Sequence, residues 1–405
     1  MKILMVSVTF PYPPSRGGTQ VRTFNLLQYL SQRHSVTLVT QKSGTVTLQE
    51  MEELRGWVQE LVVFPRPRFE GAGDTWTKLQ RWGRFLRAGV PPHVHSIYSL
   101  PMQTWIDDFV SQGHCDVITC EHSVNEIFVR PQWQEQLKTV VNVHSSVYGT
   151  CRHQLNTGTS EQPWRDRFYL PLLKRYEQRY CQKFSHLVVT TTEDQQQLQT
   201  LSPSRPIAVI PNGVDLMLLP YRSQDPGGHR LIFIGAMDNL PNIDAACFFV
   251  EKVLPKLQQK YPDISLDLVG ANPTPAVLAL GNYPGVQVLG RVPAMVHYLH
   301  QATVCVIPMR TGFGIKNKTL EALAAGTPVV ASDRGLEGLT VDGAGVPLAA
   351  LRANHVEEYI IAIDRLLTTP SLRTQLSQQG RTLIETHYTW EQQGKLYEQV
   401  LSSRS

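Results

Sequence analysis

One short stretch of the sequence, residues 308–330, gathers the residue types that bind a nucleotide. Two glycines, Gly312 and Gly314, let the backbone approach an anion closely. We expect a helix to begin near Asn317, and the unpaired N–H groups of a helix N-terminus favour a phosphate. Glu321 lies one turn inside that helix, where a carboxylate can accept hydrogen bonds from the hydroxyls of a ribose. The pattern therefore predicts a nucleotide site.

Three cations stand in or next to the same loop: Arg310, Lys316 and Lys318. Each can make charge-assisted hydrogen bonds to a diphosphate, and together they would stabilise a departing anion. On the residues alone a second interpretation stays open, in which a solvated basic loop precedes a glutamate on a helix surface. Glycine-rich loops are common and are weak signals by themselves.

The first half of the chain offers a second set of candidates. Gly17 and Gly18 follow a proline-rich loop, where they could admit a phosphate or an acceptor, or form a plain flexible turn. His122 and His144 each follow a predicted strand, and Glu121 precedes His122. The carboxyl ends of parallel strands are where the ligands of such sheets bind. A histidine at a strand end can equally be a structural residue with satisfied hydrogen bonds.

The composition excludes several classes of protein. Hydrophobic residues make up 42% of the 405 residues and charged residues 18%, which is ordinary for a globular protein. The net charge of +4 suits an anionic small molecule or a membrane surface, and is too small to indicate nucleic acid. The six cysteines form no C-x-x-C pair and no zinc spacing, so we expect reduced thiols in a cytoplasmic protein. No apolar run approaches the length of a membrane span, and the opening MKILMVSVTF resembles a strand more than a signal peptide.

The order of predicted elements is typical of parallel sheets. A β-rich run at residues 2–8 is followed by a loop, a helical segment and a strand at 35–40, which is a βαβ unit. Further strands in the first half are predicted at residues 61–64, 116–120, 139–143, 186–191 and 207–210. The pattern then restarts, with strands predicted at residues 231–235, 265–270, 286–290, 303–308 and 327–332. The sequence therefore predicts an α/β protein built from two Rossmann-like doubly wound domains.

A stretch rich in proline, glycine and polar residues, 211–230, separates the two halves. A chain of 405 residues is longer than one core usually supports. We therefore expect an N-terminal domain over residues 1–215 and a C-terminal domain over residues 216–386. The two are expected to face a central cleft, which is the usual place for a ligand.

Several segments together resemble a known family. They are PYPPSRGGTQVRTFNLLQYL in the first half, VIPNGVD (209–215), FIGAMDNLPNIDAACFFVEKVLP (233–255), VLGRV (288–292), GIKNKTLEALAAGTPVVASDRGLEGL (314–339) and HYTWEQQGKLYEQVL (387–401). In these segments the chain resembles the retaining glycosyltransferases of the two-Rossmann-domain type, the GT-B fold, in glycosyltransferase family four, also called group 1. The resemblance covers nearly the whole chain. It implies a hexosyl or other glycosyltransferase that uses a nucleotide-sugar donor, and a C-terminal helix, 387–405, that returns to the first domain.

Carried over residue by residue, the resemblance matches Glu321 to the second glutamate of the family's E-x7-E motif, which holds the nucleotide ribose. The first glutamate should stand eight residues earlier, where this chain has Phe313. The chain is similar instead to a branch with a G-I-[KR]-N-K loop. The family's arginine and lysine after the first strand of the second domain are also missing, because GAMDNLPNID carries no cation. We infer that Lys318, with Arg310 or Lys316, supplies the charge for the diphosphate.

The resemblance also implies which residues act on the substrates. His144 stands where the family has a strand-end histidine near the transferred sugar. The predicted catalytic residues are therefore His144, Lys318 and Arg310, and Glu121 and His122 are candidates for contacts to the acceptor. The predicted nucleotide-sugar-binding residues are Gly17, Gly18, Gly235, Gly312, Gly314, Ile315, Lys316, Asn317, Lys318 and Glu321.

The expected chemistry is transfer of a sugar with retention of its anomeric configuration. The resemblance implies front-face attack by an acceptor hydroxyl. The sequence has no D-x-D motif, which argues against the metal-dependent single-domain transferases, so neither a metal nor another cofactor is expected. Two alternatives stay open. One is a sugar-nucleotide epimerase of the same fold, which needs no acceptor; the other is a non-catalytic sugar-nucleotide-binding protein, which the missing first glutamate favours.

Two helical segments in the first half bear on the acceptor. Residues 75–89 place aromatic and leucine side chains on one side of a helix and three arginines on another, and residues 164–184 form a second basic, aromatic-rich helix. Such helices can lie on an anionic bilayer, or can pack on the core with a basic outer face. We expect a sugar, a lipid-linked molecule or a small molecule as acceptor, in polysaccharide or glycoconjugate synthesis. The protein is expected in the cytoplasm, with possible peripheral membrane contact through its N-terminal domain.

Overall fold

The computed structural model of the protein describes residues 1–67, 85, 89–156, 158–160 and 162–403. They form two compact units, one comprising Met1–Pro211 with Gln393–Ser405 and the other Asn212–Gln392. Of the helix expected at residues 75–89, all but Phe85 and Gly89 lies outside the described residues.

The first unit contains a seven-stranded parallel sheet. Its strands are β1 (Lys2–Ser7), β2 (Ser35–Lys42), β3 (Glu60–Pro65), β4 (Val117–Glu121), β5 (Lys138–Val143), β6 (His186–Val189) and β7 (Ile207–Val209). Its helices are α1 (Gly18–Ser31), α2 (Leu48–Arg55), α3 (Pro92–His95), α4 (Leu100–Ser111), α5 (Val147–Asn156), α6 (Pro163–Cys181) and α7 (Thr192–Leu201), with short 3-10 turns at Pro14–Arg16, Ser123–Phe128 and Pro131–Glu135. The strand order is β3-β2-β1-β4-β5-β6-β7.

The second unit contains a six-stranded parallel sheet. Its strands are β8 (Arg230–Ile234), β9 (Ser265–Val269), β10 (Val286–Gly290), β11 (Val304–Ile307), β12 (Val329–Ala331) and β13 (Leu351–Arg352). Its helices are α8 (Leu240–Phe248), a π-helical turn (Phe249–Val253), α9 (Leu254–Lys260), α10 (Pro275–Ala279), a 3-10 turn (Leu280–Asn282), α11 (Met295–Gln301), α12 (Asn317–Ala325), α13 (Val356–Thr368), α14 (Pro370–His387) and the first residues of α15 (Trp390–Ser402). The strand order is β10-β9-β8-β11-β12-β13.

Continuous apolar runs explain why both sheets are parallel. Four or five consecutive residues of the central strands are buried, as in β4 and β11, because helices cover both faces of such a sheet. In each sheet the strand order reverses once, between β1 and β4 and between β8 and β11. The carboxyl ends of strands at such a reversal leave a crevice in which ligands of α/β proteins bind.

The predicted strands are confirmed in position, and the pairing of every neighbour is parallel. Strand β13 was missed, because two residues are too few to show a periodic pattern.

The end of the chain packs within the first unit. A Cβ on Gly394 would come within 2.2 Å of the Tyr29 ring, so only glycine lets α15 approach α1 this closely. Next along the helix, Glu398 accepts a hydrogen bond from the Tyr29 hydroxyl at 3.1 Å and pairs with His34 at 2.7 Å.

Candidate functional site

Lys318 occupies the strand-order reversal of the second sheet. It lies in the first turn of α12, which begins at Asn317 as the sequence predicts. Lys318 is half-buried as a residue, and its ammonium group is 4.7 Å from the ring centroid of Phe233 on β8 and 3.6 Å from the Met309 sulfur. A Cβ on Gly235, which has φ +153°, would lie 2.9 Å from that ammonium. Glycine at the end of β8 is therefore what admits the lysine.

The protein environment disfavours the charged form of Lys318. Burial, with a smaller contribution from the nearby Lys316, lowers the pKa of Lys318 to about 7, against the opposing effects of Cys305 and Glu321. An ammonium with such a pKa gains charge when an anion is brought beside it, because an opposite charge favours the charged form. An anion such as a phosphate beside Lys318 would therefore favour the charged form of its ammonium group.

Glu321 lies one turn along α12 from Lys318 and is half-buried. Burial raises the pKa of its carboxyl group, and the charge of Lys318 opposes that rise. Within the described part of the chain, no side chain or backbone group hydrogen-bonds the Glu321 carboxylate. Its oxygens are therefore available to accept hydrogen bonds from a ligand.

Lys316 holds the glycine loop in shape. Gly312 and Gly314 have φ values of +89° and +74°, a region that favours glycine. The buried Lys316 ammonium donates to the carbonyl of Gly314 at 2.5 Å and of Gly312 at 3.4 Å, and pairs with Glu337 at 3.2 Å. The Lys316 ammonium is thus already bound by groups of the protein. Lys318 is therefore the better candidate to contact a diphosphate.

Arg310 is exposed and is also paired. Its guanidinium makes a two-point hydrogen-bonded pair with the Asp244 carboxylate, one bond at 2.9 Å, and lies 4.9 Å over the Phe248 ring. Ile315 packs in the core, and the Asn317 side chain accepts a hydrogen bond from Asn212 at 2.7 Å. Arg310 therefore joins the loop to α8.

His122 and His144 meet at the carboxyl ends of β4 and β5. Their ring centroids are 4.7 Å apart. Burial, with a smaller contribution from His93, lowers the pKa of His122 to about 4, and burial holds the pKa of His144 well below its usual range. The Nε2 atom of His144 is buried and has no hydrogen-bond partner among the described residues. Both rings are therefore neutral at pH 7, and one keeps a free polar atom.

The backbone of His122 is strained. Its φ of +101° is rare for a residue with a side chain, and its Nδ1 accepts a hydrogen bond from the Val124 N–H at 3.3 Å. Strain of this kind is often found at functional sites.

Glu121 was expected to contact an acceptor, but the structure buries its carboxylate in a polar network. Its Oε1 accepts hydrogen bonds from the hydroxyls of Tyr397 at 2.8 Å and Thr119 at 2.9 Å, and its Oε2 accepts one from the Asn142 amide at 2.9 Å. The Asn142 oxygen in turn accepts from the fully buried guanidinium of Arg22 at 2.8 Å. Glu121 therefore supports the strand ends that precede the two histidines.

The two expected glycines before α1 differ from those of the second unit. Gly17 has a φ of 175°, an extended conformation that any residue adopts, and a Cβ there would meet only the end of the flexible Gln20 side chain, at 3.0 Å. Gly18 is the first residue of α1. The backbone at Gly17 thus gives no structural reason for glycine.

Among the described residues, no three histidine, cysteine, aspartate or glutamate side chains are grouped so that they could hold a metal ion. None of the helices that the structure describes combines the length and the apolar character needed to cross a bilayer.

Two family models match this chain in consecutive segments. The model described as Glycosyltransferase Family 4 matches residues 16–218, and the model described as Glycosyl transferases group 1 matches residues 228–369. This chain belongs to glycosyltransferase family 4. The predicted family is thereby confirmed.

Relatives of the family 4 protein include a mannosyltransferase and several solved structures. The protein of Corynebacterium glutamicum described as a GDP-mannose-dependent monoacylated alpha-(1-6)-phosphatidylinositol monomannoside mannosyltransferase is 29% identical over 217 residues. That match covers 48% of this chain and 55% of the relative, so the chain spans about half the length of that protein.

Solved structures confirm the fold class. The sucrose-phosphate synthase of Thermosynechococcus elongatus superposes with a TM-score of 0.70 at 19% identity, and the Anabaena protein HepE in complex with UDP and glucose with a TM-score of 0.67 at 13% identity. Both matches cover 100% of each chain. At these identities the likeness shows the fold, which is the predicted GT-B class with two Rossmann-like domains.

The structure also shows what stands where the family has its first glutamate. The Phe313 ring lies 4.7 Å from the Arg334 guanidinium, and Arg334 pairs with Glu337 at 2.9 Å. At the position that the resemblance gives to that glutamate, this chain therefore has an aromatic ring packed on a cation.

Sequence reasoning missed the residues that hold the predicted ones. Arg22 could have been noticed as a lone cation among apolar residues of α1, whereas nothing near Asn242 or Asp244 in the sequence points to their partners. Asn242 accepts a hydrogen bond from Lys318, which lies 76 residues later in the chain. Asp244 accepts one from Arg310, which lies 66 residues later.

Proposed function

We propose that this protein transfers a sugar from a nucleoside-diphosphate sugar to an acceptor hydroxyl. The observation that carries the proposal is that Lys318 and Glu321 lie one turn apart on α12, at the strand-order reversal of the second sheet. The Lys318 ammonium has few stabilising partners in the protein, so a diphosphate can pair with it. The Glu321 carboxylate has no protein partner, so it can accept hydrogen bonds from a ribose. Membership of family 4 supports the same assignment.

In this proposal the protein acts mainly on the leaving group. As the sugar departs, positive charge grows on its anomeric carbon and negative charge on the diphosphate. Lys318 and the backbone N–H groups at the start of α12 stabilise that negative charge, since they are aimed at it before the reaction begins. Arg310 adds potential from the edge of the loop. With these groups in place the reaction is proposed to retain the anomeric configuration and to need no metal.

His144 is proposed to contact the transferred sugar. Its neutral imidazole and its partnerless, buried Nε2 can donate or accept one hydrogen bond without bringing a charge. His122, next to it, is proposed to contact the acceptor. Glu121, whose oxygens are occupied, is assigned to support both.

The donor can be identified by a thermal-shift screen of UDP, GDP, ADP and TDP sugars. The proposal expects one base to raise the melting temperature more than the others, since ligands that bind the native state stabilise it. The Corynebacterium relative is named for GDP-mannose, and HepE was solved with UDP, so these two bases are the first to test. If no sugar nucleotide stabilises the protein, the proposal is wrong.

Release of the nucleoside diphosphate then separates transfer from the alternatives. A transferase releases it faster when the right acceptor is added, an epimerase is indifferent to acceptors, and a non-catalytic binding protein releases none. Because Phe313 replaces the family's first glutamate, this control belongs in the first set of experiments.

We further propose a cytoplasmic protein that builds a polysaccharide or glycoconjugate and contacts a membrane peripherally. The start of α6 exposes 83% of Trp164 and 53% of Phe168, and Arg167 lies 5.6 Å over the Trp164 ring. Aromatic rings flanked by arginines bind the interface of anionic bilayers. Co-sedimentation with phosphatidylglycerol vesicles should exceed that with phosphatidylcholine vesicles, and Trp164→Ala should reduce it. Equal sedimentation with both lipids would contradict the membrane contact.

A further inference from the structure

Asn242 is a buried polar residue at the third position of α8, with 6% of its surface exposed. Its Nδ2 donates a hydrogen bond to the carbonyl of Ala236 at 2.8 Å. Because a carbonyl can only accept, this bond decides which end of the amide carries the nitrogen. The Oδ1 atom therefore faces the Lys318 ammonium and accepts a hydrogen bond from it.

The surroundings of Lys318 make this contact its main polar support. Within the described chain, its ammonium hydrogen-bonds the Asn242 oxygen and the Met309 sulfur, and thioether sulfur is a weak acceptor. The titratable groups that face it are Lys316 from the loop, Cys305 from β11 and Glu321 from its own helix. None of these three hydrogen-bonds it, so the amide of Asn242 decides where the ammonium sits.

The close packing around Gly235 shows that three structural elements meet at the contact between Asn242 and Lys318. A Cβ on Gly235 would lie 2.8 Å from the Asn242 amide nitrogen and 2.9 Å from the Lys318 ammonium. The end of β8, the start of α8 and the start of α12 therefore meet with no room for another side chain. Neither Asn242 nor Lys318 can move far without displacing the other.

We propose that Asn242 is a positioning residue that holds the Lys318 ammonium in place for a nucleoside diphosphate and thereby sets the pH range over which the diphosphate binds. This rests on the proposed function. The segment after β8 carries no cation of its own. In this protein it supplies an acceptor that receives a cation from the neighbouring helix.

The pH dependence has a definite sign. The pKa of Lys318 is about 7, and a nucleoside diphosphate should bind most tightly when the Lys318 ammonium is charged. The contribution of the Lys318 charge to the affinity should be complete well below that pKa and fall as the pH rises above it. Asn242→Ala removes an acceptor from the ammonium, so the fall should begin at lower pH. Asn242→Asp adds a negative charge beside the ammonium, so the fall should begin at higher pH.

The first arm of the test needs no ligand. The pKa of Lys318 is measured by competitive acylation followed by mass spectrometry of its peptide, in the wild type and both variants. We expect opposite shifts, down for Asn242→Ala and up for Asn242→Asp, each of about one pH unit. Shifts in the same direction, or none, would overturn the proposal. A melting curve confirms that each variant is folded, and Asn242→Ala alone decides this arm if the aspartate variant is not.

The second arm uses UDP and GDP, titrated separately by calorimetry at pH 6.0 and 8.5. Compared with wild type, Asn242→Ala should lose about fivefold more affinity at pH 8.5 than at pH 6.0, which corresponds to a shift of about one unit in the pKa of Lys318. Asn242→Asp should keep more of its affinity at pH 8.5 than wild type does. If the affinity does not depend on pH in wild type and both variants, Asn242 has no role in nucleotide binding.

Asn239→Asp is the matched control. Asn239 is exposed at the N-cap of the same helix and makes no side-chain cap hydrogen bond. The variant adds the same carboxylate three residues away, and should leave the Lys318 pKa and both titrations unchanged. If wild type binds neither of these two nucleotides nor ADP or TDP, the proposed function is refuted, while the ligand-free arm still reports whether Asn242 holds Lys318.

Discussion

The two sheets reverse their strand order in the same way, yet their carboxyl ends differ in charge. At the end of the first sheet, His122 and His144 are neutral. At the end of the second, Lys318 and Glu321 lie one turn apart with little support from the protein. The same topology thus provides one neutral crevice and one that carries charged groups.

The difference lies in where the charges find their partners. In the first unit the buried charges of Arg22 and Glu121 meet through the Asn142 side chain below the strand ends. In the second unit the loop cations Arg310 and Lys316 are met by Asp244 and Glu337 on neighbouring segments. A neutral end suits hydroxyl groups and a cationic end suits a phosphate, so the two ends are suited to different parts of a reaction.

The largest effect should follow from Lys318→Ala. The loss of a preorganised positive charge beside the leaving group is expected to lower turnover at saturating donor by about 10² to 10³, as for the removal of one donor that stabilises a developing oxyanion. Turnover is measured as nucleoside diphosphate release with the acceptor that the wild type uses. Lys252→Ala, at an exposed lysine of the same unit, is the control. A normal rate would show that Lys318 is only a surface charge and that the two ends do not differ in function.

His122→Asn tests the neutral end. Since the folded-state pKa of His122 is about 4, below its value of 6.5 in the unfolded chain, the protein should lose stability as the pH falls from 6.5 towards 4. Asparagine tolerates the positive φ and removes the titrating ring. Between pH 7.5 and pH 5 the variant should therefore lose about 1–2 kcal/mol less stability than wild type, the lower value reflecting partial exposure of the ring. Urea denaturation of both proteins at the two pH values measures it; an equal acid sensitivity would show that the ring is not held neutral.

Glu321→Ala sharpens the cationic end. It should weaken binding of UDP or GDP about tenfold, because hydrogen bonds to the ribose hydroxyls are worth about 1–2 kcal/mol together. Calorimetry with the 2′-deoxy nucleotides completes a thermodynamic cycle between Glu321 and the ribose. Wild type should bind the 2′-deoxy nucleotides less tightly, and Glu321→Ala should reduce their affinity by little more. An exposed carboxylate of the same unit, Glu251, provides the control substitution. Unchanged affinity of the alanine variant would remove Glu321 from the site.

Local patterns were enough to predict the strands and the start of α12. Runs such as DVITC and TVVNV are apolar on both faces and short, which is typical of buried parallel strands. Gly312 and Gly314 marked a loop with positive φ, and the helix after them began where expected. These features depend on neighbours in the chain, so a single sequence carries them.

What each charged side chain contacts was beyond the reach of the sequence. Arg310, Lys316 and Lys318 look alike as three cations in one loop, and the fold gives them three different partners. Glu121 looked available at a strand end, and Tyr397, 276 residues later, takes up one of its oxygens.

By itself, then, the sequence determined the α/β architecture, the glycine loop and the residue types at the strand ends. Tertiary structure alone decided which of those residues keep a charge or a free polar atom to offer a ligand. The physical reason is that burial and a hydrogen-bonding partner set the state of an ionisable group, and both are supplied by segments far away in the chain.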